Sequence, residues 1–169
     1  MEITMTAAEI IETLGLIPHP KEGGFFRELY RSDESIDLSG TRYRGKRAFS
    51  TAIYFLLTPE TFSAMHLLQS DEIFHLYLGG PVEMLNLYPD GSGKAVRIGF
   101  DLMSDERPQV VVPRGVWQGS RLANSAEYAL MGTTVAPGFE YEDFSDGVRA
   151  ELTAKYPRFA GMIDGLCLK

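Results

Sequence analysis

Hydrophobic and polar positions along this chain follow two different periods. Near the N-terminus Ile10, Ile11 and Leu14 recur at helical spacing. Thr6 and Glu9 stand where a capping box satisfies the first free amides, and Gly15 follows the last apolar residue. A short helix is predicted there. Residues 18–24 (PHPKEGG) cannot continue it and read as a loop. From Phe25 onward the apolar residues are β-branched and aromatic, in short runs that suit a pleated, half-buried surface. The predicted strands cover 25–31, 48–57, 62–68, 72–78, 82–88, 95–100, 109–113, 116–121 and 127–135, with turn clusters such as Gly79-Gly80-Pro81 and Pro89 to Gly93 between them. Many short strands with few helical windows predict an antiparallel sandwich or barrel. After Asp143 the helical period returns in Val148, Leu152 and Tyr156, predicting a tail packed outside the barrel.

Length and composition narrow the picture. A chain of 169 residues without internal repeats fits one domain with its own core. The net charge of −7 argues against general nucleic-acid binding, which requires Lys and Arg to neutralise phosphates. Cys167 is the single cysteine, so no internal disulfide forms. No basic-then-apolar leader and no membrane-length apolar run is present, and a cytoplasmic location is expected. The basic run Arg42 to Arg47 reads as a solvated hairpin tip.

Candidate chemistry centres on His66 and Glu72. Strand alternation puts Phe62, Ala64 and His66 on one face, and Glu72, Phe74 and Leu76 on one face of the next strand, with His75 on the other. A hairpin between these strands is expected to bring imidazole and carboxylate within hydrogen-bond reach in an apolar cavity, raising the His66 pKa. Such a pair exchanges protons near neutral pH. Trp117 is expected to face away from Gln118 and serve packing.

Two segments carry a family resemblance: His66-(five residues)-Glu72-(six residues)-Gly79, and Pro113-Arg114-Gly115-Val116-Trp117-Gln118. In this order they resemble the two signature motifs of the cupin superfamily. The phrases HPKEGGFFRE (19–28), STAIYFLL (50–57), SDEIFHLYLGG (70–80) and TVAPGFEYEDF (134–144) resemble its small single-domain branch of unknown function. The resemblance implies an all-β double-stranded β-helix, the cupin jelly roll, with a barrel over about 25–144, a short N-terminal helix and a helical tail. It also implies a pocket for a small molecule.

Metal-binding cupins add a His two residues before the central His and another at the end of the second motif, where this chain has Ala64 and Gln118. Transition metals want three or four imidazole or carboxylate ligands, so no metal or other cofactor is expected; a metal, if held, would fall to His66, Glu72 and His75. Three functions follow from the resemblance. The first is a metal-independent epimerase or isomerase acting on a sugar-like or small polar carboxylate substrate, with His66 and Glu72 catalytic and Gln118, Arg27, Tyr54 and His75 around the substrate. The second is a non-catalytic sugar or metabolite binding module. The third is a metal-dependent dioxygenase or isomerase. Uncovered sheet edges, FFRELY (25–30) among them, predict a homodimer.

Overall fold

The computed structural model describes residues 5–123 and 126–168; the first four residues of the N-terminal stretch lie outside it. Helix α1 (Ala7–Leu14) starts on the expected capping box, with Glu9 N donating to Thr6 Oγ1 and Thr6 N donating to the Glu9 carboxylate. Its stripe lays Ile10 on Leu56 and Leu130 of the larger sheet and on Leu16 and Tyr128 beside it.

Thirteen strands follow among the described residues: β1 (Ile17–Pro18), β2 (Phe25–Arg31), β3 (Ser35–Asp37), β4 (Lys46–Ala48), β5 (Thr51–Leu57), β6 (Phe62–Leu68), β7 (Asp71–Gly79), β8 (Val82–Leu87), β9 (Gly93–Ile98), β10 (Gln109–Val112), β11 (Trp117–Leu122), β12 (Ala129–Ala136) and β13 (Phe144–Asp146). They form a six-stranded sheet, β1-β2-β5-β12-β7-β10, facing a five-stranded sheet, β13-β6-β11-β8-β9, with β3 and β4 as a separate hairpin. Neighbouring strands in both sheets run antiparallel, and the inward side chains of Phe55, Leu57, Phe74, Leu76, Met84, Val112 and Met131 fill one end of the interior. That end is closed by packing, which leaves the opposite end for a pocket.

The tail wraps the outside of the five-stranded sheet. Helices α2 (Arg149–Lys155) and α3 (Ala160–Gly165) place Leu152, Tyr156, Ile163 and Leu166 on Met65, Leu85 and Leu87, with Trp117 at the margin. Trp117 thus packs on the opposite side of β11 from Gln118. Among the described residues no helix is long and apolar enough to cross a membrane.

The structure corrects two expectations. Residues 48–57 are not one strand: the chain turns at Phe49 and Ser50, so that Lys46–Ala48 pairs with β3 instead. The basic run is also not wholly solvated. Arg47 is 2% exposed, and its guanidinium grips Asp143 through Nε (2.8 Å) and Nη2 (2.7 Å), while Nη2 also reaches Glu142 at 2.6 Å. A charge buried that deeply needs a bidentate partner, and residues 142–143, ninety-odd positions away, supply it. This clamp anchors the segment 139–144 that borders the pocket.

Candidate functional site

Glu22 owes its position to the loop 18–24 and to an irregularity in β6. Gly23 and Gly24 adopt φ of 95° and 72°, and a side chain on Gly23 would collide with the Phe62 carbonyl, so the loop closes tightly on the barrel mouth. Across β11 and β6 the register pairs Gln118 with His66 and Ser120 with Ser63, leaving one extra residue in β6. This bulge turns both Ser63 and His66 inward and sends Phe62 and Met65 outward to the tail helices. It also sets free the backbone of Ala64. The Ala64 amide donates to the Glu22 carbonyl at 2.7 Å, and the Ala64 carbonyl lies 2.8 Å from His66 Nδ1. The expected face of Phe62, Ala64 and His66 is therefore wrong, because the bulge breaks the alternation.

The protonation pattern follows from these contacts. A carbonyl only accepts, so His66 Nδ1 carries the hydrogen and, in the neutral ring, Nε2 keeps its lone pair. Glu22 Oε2 lies 3.4 Å from that nitrogen, and Ser63 Oγ donates to Glu22 Oε1 at 3.2 Å. The Glu22 proton accordingly belongs on Oε2, facing His66. Burial, partly offset by the Ser63 hydrogen bond, pushes the Glu22 pKa up to about 8. Burial also lowers the His66 pKa, against the opposing pull of Glu72, the Ala64 carbonyl and Asp146. The expected increase is overturned because the desolvation of a fully enclosed imidazole outweighs its acidic neighbours.

Glu72 does not hydrogen-bond His66 directly. Its Oε2 accepts from Gln118 Nε2 at 2.8 Å, across the two facing sheets. Burial raises its pKa; the charges of His66 and Glu22 act in opposite senses, and hydrogen bonds from Thr133 and Gln118 favour its ionised form.

Above these groups lies a cavity of about 180 Å³, lined by Phe26 and Glu28 (β2), Thr51 and Ile53 (β5), Thr133 and Val135 (β12), Glu72 (β7) and Leu68 (β6). His19 and Glu22 border it from the loop, and Phe139, Tyr141 and Phe144 from the clamped segment. His66 does not line it; the ring stacks under Phe144, centroids 4.9 Å apart and nearly parallel, one layer behind Glu22. The His19 Nδ1 accepts from the amides of Lys21 and Glu22 at 3.3 and 3.0 Å, and burial lowers its pKa to about 4, so it faces the cavity neutral. Arg31 is the only Lys or Arg among the lining residues, and it is occupied by a bidentate pair with Glu28 (both 3.0 Å), Glu140 (2.7 Å) and the Phe139 carbonyl. A register shift between Glu28 and Tyr30 turns Arg31 inward.

Three sequence candidates lie elsewhere. Arg27 is exposed on the outer face and donates to the Leu14 carbonyl at 2.9 Å, so it closes α1 rather than a ligand site. Tyr54 also faces outward, packed with the α1 cluster and edge-on to Tyr77. His75 sits on the outer face of β7, 3.4 Å from Thr134 Oγ1. Gln118 is inside, bound to Glu72. Glu22, Arg31 and the residues 139–144 were not among the sequence candidates, although the resemblance placed the 18–24 segment beside the pocket; the EGG of residues 22–24 was a local signal, since paired glycines mark a tight turn that aims its neighbour.

These positions bear on a metal. Of the donors His66, Glu72 and His75, the last points away from the other two, and Gln118 offers an amide already committed to Glu72. Among the described residues no three His, Cys, Asp or Glu side chains are arranged to hold a metal ion. The residues present do not fit a transition-metal centre.

Two facing antiparallel sheets with a buried polar cluster at the open end define a jelly-roll barrel of the cupin type. The chain matches the family model described as Cupin superfamily (DUF985) over residues 8–146 and belongs to that family. An uncharacterized protein of Saccharomyces cerevisiae, YML079W, is 34% identical in an alignment of 145 positions that covers 80% of this chain and 72% of that protein. A hypothetical protein from Leishmania major superposes with a TM-score of 0.88 at 32% identity, covering 98% of this chain and all of the other. Protein SO0799 from Shewanella oneidensis gives 0.87 at 33%, covering 98% and 99%. Oxalate decarboxylase from Bacillus subtilis shares the fold at 13% identity and TM-score 0.54, over 89% of this chain and 37% of its own.

Proposed function

We propose that this cupin is a metal-independent isomerase or epimerase-type enzyme that moves a proton on a small, uncharged, sugar-like molecule. The observation that carries the reading is the pair of carboxyl groups, buried Glu72 and largely enclosed Glu22, on one cavity with different hydrogen-bond surroundings. Glu72 receives donors from Gln118 and Thr133, which suit a carboxylate acting as base. Glu22 faces the His66 lone pair and keeps its proton, which suits an acid. Burial raises both carboxyl groups, and their surroundings divide the acid and base roles: two donors oppose the rise at Glu72, while Glu22 faces a lone pair. In this reading the acid of the pair is Glu22, with His66 behind it as the alternative seat for its proton, and Glu72 takes the role of base that the sequence analysis expected of His66.

The chemistry then balances without an outside reagent. Glu72 takes the proton from the carbon beside a substrate carbonyl, and that C–H electron pair becomes the C=C bond of an enediol. The carbonyl oxygen takes the Glu22 proton as its π pair moves onto oxygen. Return of the Glu72 proton to the former carbonyl carbon, as the other enediol hydroxyl gives its proton to Glu22 and its O–H pair becomes the new C=O, gives the isomer and resets both groups. The carboxylate limb of the substrate expectation is less well supported, since Arg31 is already held by Glu28 and Glu140. Phe26, Phe139, Tyr141 and Phe144 supply apolar faces for a ring.

A second reading, a non-catalytic binding module, is favoured by the apolar character of most of the lining. Incubation of the protein with a panel of aldoses and ketoses in D2O separates the two. Deuterium entering carbon next to the carbonyl, lost in Glu72→Gln, supports the enzyme; saturable binding without exchange supports the module.

A further inference from the structure

Beyond the cavity, the barrel interior holds Gln118, already met as the Glu72 donor, beside two buried polar residues that the chemistry above does not use, Asn86 and Ser120. Asn86 on β8 stands directly opposite Gln118 on β11, and Ser120 lies two positions further along β11 on the same face. All three are 1–2% exposed. Asn86 Oδ1, Gln118 Oε1 and Ser120 Oγ have no hydrogen-bond partner in the protein. Leaving a buried polar atom unpaired costs about 1–3 kcal/mol, so three within a cross-strand neighbourhood call for a common partner. Directly opposed residues have Cβ atoms about 4.5–5.5 Å apart, and two amide oxygens both accept and cannot bond each other, so the pair calls for one bridging donor.

The donor and acceptor types define that molecule. Gln118 must turn Nε2 toward Glu72, because the carboxyl oxygen needs a donor; its Oε1 therefore faces away as an acceptor. Asn86 Oδ1 is a second acceptor, and Ser120 can donate its hydroxyl hydrogen. We propose that a single buried water occupies this place, donating to Asn86 Oδ1 and Gln118 Oε1 and accepting from Ser120 Oγ, and that it holds Gln118 in the orientation that presents Nε2 to Glu72. Three hydrogen bonds are typical of a buried structural water. Asn86 and Ser120 are then positioning residues: they act on Glu72 through the water and Gln118. The water site stands whether or not the protein is an enzyme; only its consequence for the base rests on the proposed function.

A crystal structure of the full chain at about 1.5 Å, without ligand, tests the site. One ordered water within hydrogen-bond distance of all three atoms is expected. Absence of density there, or an Asn86 amide nitrogen bonded directly to Gln118 Oε1, overturns the proposal. The positioning role is read from the Glu72 titration by carbon-detected NMR, in an E22Q background that isolates it. Loss of the Ser120 hydroxyl in Ser120→Ala frees Gln118 and weakens a hydrogen bond that favours the ionised carboxylate. The Glu72 midpoint is expected to move up by roughly one unit, with Ser120→Thr restoring it. Asn86→Leu should shift it in the same direction; if that variant fails to fold, Ser120→Ala and the density decide. A water in place with an unmoved Glu72 midpoint in Ser120→Ala overturns the positioning role.

Discussion

Glu22 Oε2 sits 3.4 Å from His66 Nε2, and the imidazole nitrogen facing it bears a lone pair because Nδ1 is tied to the Ala64 carbonyl. The two residues therefore share one proton between them. Replacing Glu22 with Gln keeps the shape and removes that proton's carboxyl seat. The variant is expected to fold normally and to lose at least ~100-fold in deuterium exchange at carbon, the scale of one acid–base group. Circular dichroism and exchange rates read by NMR check both halves.

The same carboxyl makes stability depend on pH, with a definite sign. Glu22 titrates at about 8 in the fold and near its ordinary 4.5 when unfolded, so between those values the native state binds more protons. Its contribution is present at acid pH and is lost as pH rises through 8. His19, lowered from 6.5 to about 4, acts in reverse and costs stability as pH falls below 6.5. From pH 6.5 to 8 the Glu22 effect dominates, and wild-type protein should lose on the order of 1–2 kcal/mol that Glu22→Gln does not lose. Urea unfolding of both proteins at the two pH values measures it; parallel curves would remove Glu22 as the cause.

Arg47 ties the hairpin β3–β4 to the segment bordering the pocket through Asp143 and Glu142. Arg47→Ala leaves the 5%-exposed Asp143 carboxylate without its partner, which should cost about 3–5 kcal/mol in denaturant titration. Arg47→Lys should recover only part of this, since an ammonium cannot make the bidentate contact.

Arg27, Tyr54 and His75 face outward, so Arg27→Ala, Tyr54→Phe and His75→Ala are expected to leave ligand affinity within about twofold. Arg27→Ala alone should lower stability slightly, by about 1 kcal/mol or less, through the lost bond to the Leu14 carbonyl. Isothermal titration with any ligand the pocket accepts tests the set, and a tenfold loss in one variant would put that residue back in the site.

What the chain determined by itself was local. The capping box at Thr6 and most of the strand runs are properties of neighbouring residues and appear in the fold as read, the run 48–57 excepted. Alternation along β7 correctly separated Glu72 from His75, because that stretch of strand carries no bulge. The site itself was decided by tertiary structure. A bulge in β6 overrode the same alternation rule at Ala64, and whether a strand bulges depends on its partner strands as well as its own residues. Glu22 looked like a loop acid until Gly23 and Gly24 folded it over the barrel mouth, and Arg47 looked like a surface charge until Asp143 arrived from the far end of the chain. Protonation depended on the same assembly: burial decided the shifts of Glu22, Glu72 and His66, and burial is created only when the two sheets and the loop close together.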